Sequence, residues 1–175
     1  MSRTPGPKDR RLAWEVLDDL GIGHLADHSF ASLSGGERAL TLIARALVQE
    51  ARILVLDEPT AALDLGNAVR VLGVVAEMSR RGHTVLMTTH QPDHALRGAH
   101  RAVLLCDGRV VANGKPAEVL TAATLSDVYG TPIQIASVVM PGRREPVLAC
   151  VPEVGNLLAT PREPAEPTHP HHPSS

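Results

Sequence analysis

The residues best suited to chemistry begin with a turn, Leu33-Ser34-Gly35-Gly36-Glu37, which opens a segment whose apolar residues recur at helical spacing. The first backbone N–H groups of a helix lack partners within the helix, and the helix dipole favours negative charge there. Glycine lets a ligand approach the backbone closely. The turn is therefore a candidate phosphate-binding site.

A second group of polar residues follows two predicted strands. Asp57 and Glu58 end the aliphatic run 53–56, which is typical of a buried parallel strand, and His90 follows the predicted strand 84–88. Ligands gather at the carboxyl ends of strands in doubly wound sheets. Asp57 can therefore hold Mg²⁺, Glu58 can polarise an attacking water, and His90 is placed to donate to a γ-phosphate.

Each of these residues also has a purely structural interpretation. Ser34 with Glu37 three residues later forms a capping box, which needs no ligand. Adjacent acids at the end of a strand are common in turns, and a single histidine usually has a structural role. The joint occurrence of all three features favours phosphate chemistry.

The composition narrows the class of protein. Hydrophobic residues make up 43% and charged residues 21% of the 175 positions, as in soluble globular proteins. A net charge of -2 and single Trp, Tyr and Phe residues argue against a nucleic-acid surface. No apolar run approaches the ~18 residues that span a bilayer. The isolated Cys106 and Cys150, without a signal peptide, predict a reducing, cytoplasmic setting.

Strands that alternate with amphipathic helices predict an α/β fold with parallel strands. The loose glycine pattern at residues 21–26 follows a helix and is interpreted as a turn. The expected helices are residues 9–20, 34–49, 64–82, 116–120 and 124–128, together with a brief helix through His94 and Leu96. The expected strands are residues 53–56, 84–88, 102–106, 109–112, 133–140 and 146–151, with an Asp107-Gly108 hairpin turn.

The sequence after residue 152 accumulates proline, threonine and histidine while apolar residues thin out. We expect residues 153–175 to be a disordered tail. Its His169-Pro170-His171-His172 cluster could bind a transition metal, although no acidic or thiol partner surrounds it.

Four motifs, in order, resemble the nucleotide-binding subunit of ATP-binding cassette (ABC) transporters. Residues 33–37 are similar to the ABC signature, 53–58 to the Walker B strand, 62–64 to the D-loop and 89–90 to the switch histidine. The resemblance covers residues 9–130 and implies a partial P-loop NTPase domain, α/β, with a mostly parallel sheet and flanking helices. It assigns residues 1–50 to the helical subdomain with the signature helix, 51–130 to the rest of the ATPase core, and 131–152 to C-terminal strands.

The resemblance implies a site shared by two subunits that associate head to tail. The signature residues would cap the γ-phosphate of ATP held by the other subunit: Leu33, Ser34, Gly35, Gly36 and Glu37. Asp64 of the D-loop would contact that subunit, and Asp57 would bind Mg²⁺. Glu58 and His90 would be the catalytic residues of ATP hydrolysis.

The implied partners are multi-span permease subunits at the inner face of the cell membrane and, through the complex, a solute-binding protein. Residues 114–120 and 127–130 are similar to importer ATPases for iron–siderophore complexes, haem or cobalamin. The resemblance therefore implies a cytoplasmic, membrane-associated ATPase that couples ATP binding and hydrolysis to solute import.

One motif of that family does not occur in the sequence. No G-x-x-x-x-G-K-[ST] phosphate loop (Walker A) is present; Gly114-Lys115 has Arg109 in place of the first glycine and Pro116 in place of the hydroxyl residue. The aromatic that stacks on adenine and the glutamine loop are missing too. We therefore predict an N-terminally truncated ATPase that has unpaired edges on strands 84–88 and 102–106 and binds ATP weakly alone.

Two other functions fit the same residues. One is a module without catalytic activity that supplies signature and D-loop surfaces to another nucleotide-binding subunit. The other is an ABC ATPase outside transport, against which the lack of a basic surface and of coiled-coil heptads argues.

Overall fold

The computed structural model describes residues 5–143 and 145–153, and residues 154–175 of the predicted tail, with the histidine cluster at 169–172, lie outside them. The predicted helices are confirmed, with ends shifted by a few residues. They are α1 (Pro7–Asp19), α2 (Gly35–Val48), α3 (Leu65–Arg80), α4 (Pro92–Gly98), α5 (Pro116–Val119) and α6 (Ala122–Tyr129). Throughout the described part of the chain, each helix is too short or too polar to cross a bilayer.

The predicted strands are confirmed as well. They are β1 (Ile53–Leu56), β2 (Thr84–Met87), β3 (Ala102–Cys106), β4 (Arg109–Gly114), β5 (Ile133–Val138) and β6 (Val147–Pro152). The β3–β4 hairpin turns at Asp107 and Gly108, both with positive φ, as a two-residue hairpin turn requires.

The six strands form three separate pairs. Strands β1 and β2 are parallel, whereas β3–β4 and β5–β6 are antiparallel. Within residues 5–143 and 145–153, β2 pairs only with β1, and β3 only with β4. The expected unpaired edges of β2 and β3 are therefore confirmed for the described residues.

The larger core lies where α1, α2 and α3 cover one face of the β1–β2 pair. Its buried members are Leu20, Ile22, Leu25, Leu33, Leu40, Ile43, Ala44, Leu54, Val71 and Met78. A smaller core joins the β3–β4 and β5–β6 hairpins to α5 and α6. Its buried members are Ala102, Val119, Leu120, Leu125 and Ile133.

The other face of the β1–β2 pair is exposed. Ile53, Val55 and Leu86 are 64%, 69% and 60% exposed, while Leu54 on the inner face is 2% exposed. The prediction that strand 53–56 is buried on both faces is therefore wrong for the described residues. The physical reason is that the helices cover only one face of the pair.

Candidate functional site

The signature turn, residues 33–37, is fixed to the fold by a buried leucine and a capping box. Leu33 is 7% exposed and belongs to the larger core, so its side chain anchors the turn. The Ser34 N–H donates to Glu37 Oε2 at 2.8 Å, and the Glu37 N–H donates to Ser34 Oγ at 3.4 Å. The predicted capping box is confirmed, and the hydrogen bonds with Ser34 lower the pKa of Glu37.

The two glycines of the signature turn differ in their surroundings. A Cβ atom on Gly36 would lie 2.7 Å from Cγ and Oδ1 of Asn67, closer than such atoms approach in proteins. A Cβ atom on Gly35 would meet only Cδ2 of Leu63, at 2.9 Å, and that methyl group can move aside. Packing against the start of α3 therefore requires glycine at position 36.

The backbone N–H groups of the two glycines have no partner in the described part of the fold, although Gly35 is exposed and Gly36 is buried. The capping box uses the N–H groups of Ser34 and Glu37, and no hydrogen bond among the described residues uses those of Gly35 or Gly36. These two groups belong to the first turn of α2, where the helix dipole favours an anion.

Asp64, the predicted D-loop residue, is the N-cap of α3. Its Oδ1 accepts the Asn67 N–H at 2.9 Å and its Oδ2 accepts the Asn67 Nδ2 donor at 2.6 Å. The bond from the Asn67 backbone lowers the pKa of Asp64 more than any other contact. Because Asn67 also packs against Gly36, it joins the D-loop residue to the signature turn.

Asp57, Glu58, Thr88 and His90 form what we call the strand-end cluster. The parallel register pairs Leu56 with Met87, so Asp57 and Thr88 follow at neighbouring strand ends. The Thr88 hydroxyl donates to Asp57 Oδ1 at 2.5 Å and accepts the Glu58 N–H at 3.0 Å. Thr88 therefore orients both acidic residues.

Glu58 and His90 form the outer part of the strand-end cluster. Glu58 Oε2 lies 3.2 Å from His90 Nδ1, and their side chains are 46% and 61% exposed. Glu58 also has a left-handed backbone, with φ of 42°, which costs a residue with a side chain about 1–2 kcal/mol. A carboxylate open to solvent can accept a proton from water, and the imidazole beside it can donate a hydrogen bond to a phosphate.

The structure thus assembles the predicted residues into two groups. Asp57, Glu58 and His90 come together as expected, and the signature turn lies against the helix that Asp64 caps. Among residues 5–143 and 145–153, no hydrogen bond or ion pair joins the signature turn to the strand-end cluster.

Thr88 is the residue that sequence reasoning missed. Its position could have indicated this role, because it is the last residue of the predicted strand 84–88, directly before Thr89 and His90. In a parallel pair, residues that follow neighbouring strands lie side by side, so a hydroxyl next to Asp57 could have been anticipated.

The strand-end cluster offers oxygen ligands suited to Mg²⁺. Asp57 presents a carboxylate oriented by Thr88, and Mg²⁺ commonly takes one or two carboxylates together with phosphate oxygens and water. Across the described residues, no group of three or more His, Cys, Asp or Glu side chains could hold a metal ion. A metal at Asp57 would therefore depend on phosphate and water for most of its coordination.

The profile of the ABC transporter family matches residues 3–61, which include the signature turn, β1 and both strand-end acids. A solved metal-chelate type ABC transporter in an inward-facing conformation superposes with a TM-score of 0.81 at 35% identity. That match covers 89% of this chain and 61% of that chain. Over the part of the domain that it spans, the chain matches ABC transporter ATP-binding domains in sequence and has their P-loop NTPase fold.

Individual relatives share this sequence over much of its length. The chain is 39% identical over 150 residues to the hemin import ATP-binding protein HmuV of Rhodococcus jostii, covering 81% of this chain and 51% of that protein. It is 37% identical over 124 residues to the ferric enterobactin transport ATP-binding protein FepC of Escherichia coli, covering 70% and 46%. The chain spans about half the length of these curated relatives.

Proposed function

We propose that the chain supplies the signature turn and the strand-end cluster of an importer-type ABC ATP-binding subunit that hydrolyses ATP. The observation that carries this proposal is the pairing of Glu58 with His90 beside Asp57, at the ends of two neighbouring parallel strands. Parallel strand ends collect ligands, and these three side chains match the needs of phosphoryl transfer to water.

The residues of the strand-end cluster have separate parts in this proposal. Asp57, oriented by the Thr88 hydroxyl, holds Mg²⁺ together with nucleotide phosphates and water. The metal, when bound, neutralises charge on the phosphates. The Glu58 carboxylate accepts a proton from the attacking water, and His90, paired with Glu58 through Nδ1, directs its other ring nitrogen to the γ-phosphate.

The phosphate loop for this site comes from a segment that these 175 residues do not contain. The sequence has no G-x-x-x-x-G-K-[ST] run, and the outer face of the β1–β2 pair exposes Ile53, Val55 and Leu86. A segment that adds a strand to the free edge of β2 and covers this apolar face would satisfy both needs.

The signature turn acts on a second nucleotide in this proposal. The free N–H groups of Gly35 and Gly36 would meet the γ-phosphate of ATP bound to a second subunit, which Asp64 would also approach. That arrangement is the family's head-to-tail dimer on permease subunits at the cytoplasmic side of the membrane. The names of the relatives favour hemin or a ferric siderophore as the solute.

Titration calorimetry with Mg-ATP tests the proposal. The chain alone should show no micromolar binding. The chain combined with a polypeptide that carries a strand, a G-x-x-x-x-G-K-[ST] loop and a helix should bind ATP and hydrolyse it. Micromolar binding by the chain alone would contradict the need for an external phosphate loop.

The signature-donating module is the second candidate, and its supporting observation is that the signature turn is complete and internally capped. A combined complex that binds ATP at the signature turn without hydrolysing it favours the module. The DNA upstream of Met1 provides a cheaper test. A phosphate-loop sequence there, in any reading frame, supports the ATPase, and its absence supports the module.

A further inference from the structure

Tyr129, the single tyrosine of the chain, reaches from the end of α6 to the strand-end cluster. Its hydroxyl donates to the backbone carbonyl oxygen of His90 at 2.8 Å, across 39 positions of sequence. Tyr129 lies in the stretch 127–130 that resembles importer ATPases, but neither that resemblance nor the proposed chemistry gives this side chain a role, so the contact needs its own explanation.

The two residues next to His90, Thr89 and Gln91, are held by local bonds. Thr89 Oγ1 accepts the Gln91 N–H at 3.1 Å and lies 3.0 Å from His94 Nδ1, at the start of α4. Those bonds fix the backbone on either side of His90. Among the described residues, His90 itself is fixed through its ring by Glu58 and through its carbonyl oxygen by Tyr129.

The helix that carries Tyr129, α6, is firmly packed against the rest of the fold. Leu125, one turn earlier in α6, is fully buried, and Ser126 Oγ accepts the Ile133 N–H at 2.9 Å, which ties α6 to β5. Gly130, with φ of 64°, ends the helix directly after Tyr129. The phenol therefore projects from a fixed helix end rather than from a mobile loop.

The phenol is also kept in its donor form. Tyr129 is 45% exposed, and its partial burial, together with the nearby Cys150, raises its pKa. A phenol with a raised pKa keeps its proton at neutral pH, so the hydrogen bond to the His90 carbonyl persists there.

We propose that Tyr129 is a positioning residue: its hydrogen bond to the His90 carbonyl oxygen holds the imidazole at the distance from Glu58 that hydrolysis needs. The proposal rests on the proposed function, in which Glu58 and His90 act on the water and the γ-phosphate. It assigns to α6 and the C-terminal hairpin the task of fixing the histidine loop.

The first test uses the chain alone and needs no ATPase activity. The ring carbon–proton signals of His90 are recorded by NMR in the wild type, in Tyr129→Phe and in Ser32→Ala. Ser32→Ala is the matched control, because it also removes a hydroxyl that donates to a backbone carbonyl oxygen, that of Ser29 at 2.7 Å, while Tyr129 keeps its bond to His90. We expect Tyr129→Phe to move the His90 signals toward those of an unstructured histidine and Ser32→Ala to leave them in place.

The second test measures hydrolysis in the combined complex described above. Loss of one neutral hydrogen bond should lower kcat in Tyr129→Phe by about three- to tenfold while KM for ATP stays constant. In a His90→Ala background the same change should have no further effect, because the group that Tyr129 positions is gone.

The outcomes separate the two proposals. Unchanged His90 signals in Tyr129→Phe, an equal change in Ser32→Ala, or a full additional loss of kcat in the His90→Ala background would overturn the role of Tyr129. A wild-type complex without hydrolysis would overturn the proposed function alone, and the NMR comparison would then decide whether Tyr129 positions His90.

Discussion

The signature turn and the strand-end cluster differ in how far the fold alone accounts for their residues. In the signature turn Leu33 is buried, Ser34 and Glu37 cap a helix, and Gly36 leaves the space that Asn67 occupies. In the strand-end cluster Glu58 has a left-handed backbone and an exposed carboxylate beside an exposed imidazole.

This difference separates the residues that the fold explains from those that only a function explains. A serine, a glycine and a glutamate at the start of α2 would be favoured even without a ligand, because each satisfies a packing or hydrogen-bonding need. A glutamate at positive φ is unfavourable for the fold, and such positions concentrate at functional sites. The strand-end cluster is therefore the stronger evidence for chemistry.

The substitution with the largest expected effect disrupts the strand-end cluster and leaves the signature turn intact. Glu58→Gln removes the proton acceptor but keeps the side-chain size, so kcat of the combined complex should fall about 10²–10⁴-fold. ATP binding should persist, because the amide does not disturb the phosphate-binding groups. Steady-state hydrolysis and titration calorimetry measure the two quantities.

Glu118→Gln is the control for that substitution. Glu118 lies on α5 and pairs only loosely with Lys115, at 3.9 Å, so its loss should leave kcat unchanged. If Glu58→Gln kept more than about a tenth of the wild-type kcat, Glu58 would not be the general base.

The next effect concerns stability and distinguishes the two glycines of the signature turn. Gly36→Ala forces its new methyl group into Asn67 and should lower the free energy of unfolding by about 1–3 kcal/mol. Gly35→Ala meets only a movable methyl group of Leu63 and should change stability little, or raise it. Urea denaturation of the two variants measures the difference. Equal effects at both positions would mean that Asn67 yields easily.

The sequence predicted most of the local structure because local rules decide it. The capping box at Ser34, the N-cap at Asp64 and the Asp107-Gly108 turn each depend on residues within a few positions of one another. The convergence of Asp57 and His90 was predictable too, because successive parallel strands place their ends at one edge.

The contacts that escaped prediction depend on tertiary structure. Thr88 became a site residue only through the register of β1 and β2, and Asn67 only through the packing of α3 on α2. Tyr129 reaches His90 because α6 ends beside the loop that carries His90. The spacing of apolar residues in the sequence does not predict that arrangement. The exposed outer face of β1 was predicted as buried, since an aliphatic run does not reveal how many neighbours cover it.

The smallest expected effect is a fall in the free energy of unfolding at acid pH, caused by Glu37 in the signature turn and Asp64 beside it. Hydrogen bonds with Ser34 lower the pKa of Glu37 from its usual 4.5, and the Asn67 N–H lowers that of Asp64 from its usual 3.8. Because both carboxyl groups have folded pKa values below their unfolded ones, their stabilisation is present above the usual values. It is lost as the pH falls through the folded pKa values.

The free energy of unfolding, measured from about pH 6 to pH 3, should therefore fall less in the double variant Glu37→Gln, Asp64→Asn than in the wild type. Ser34→Ala should flatten the same slope in part, because the Ser34 side chain contributes most to the lowered pKa of Glu37. The difference should be small, since both carboxylates are open to solvent and to salt. A double variant with the slope of the wild type would show that the two caps are not what acid weakens, and the signature turn would then owe its stability to Leu33 and Gly36.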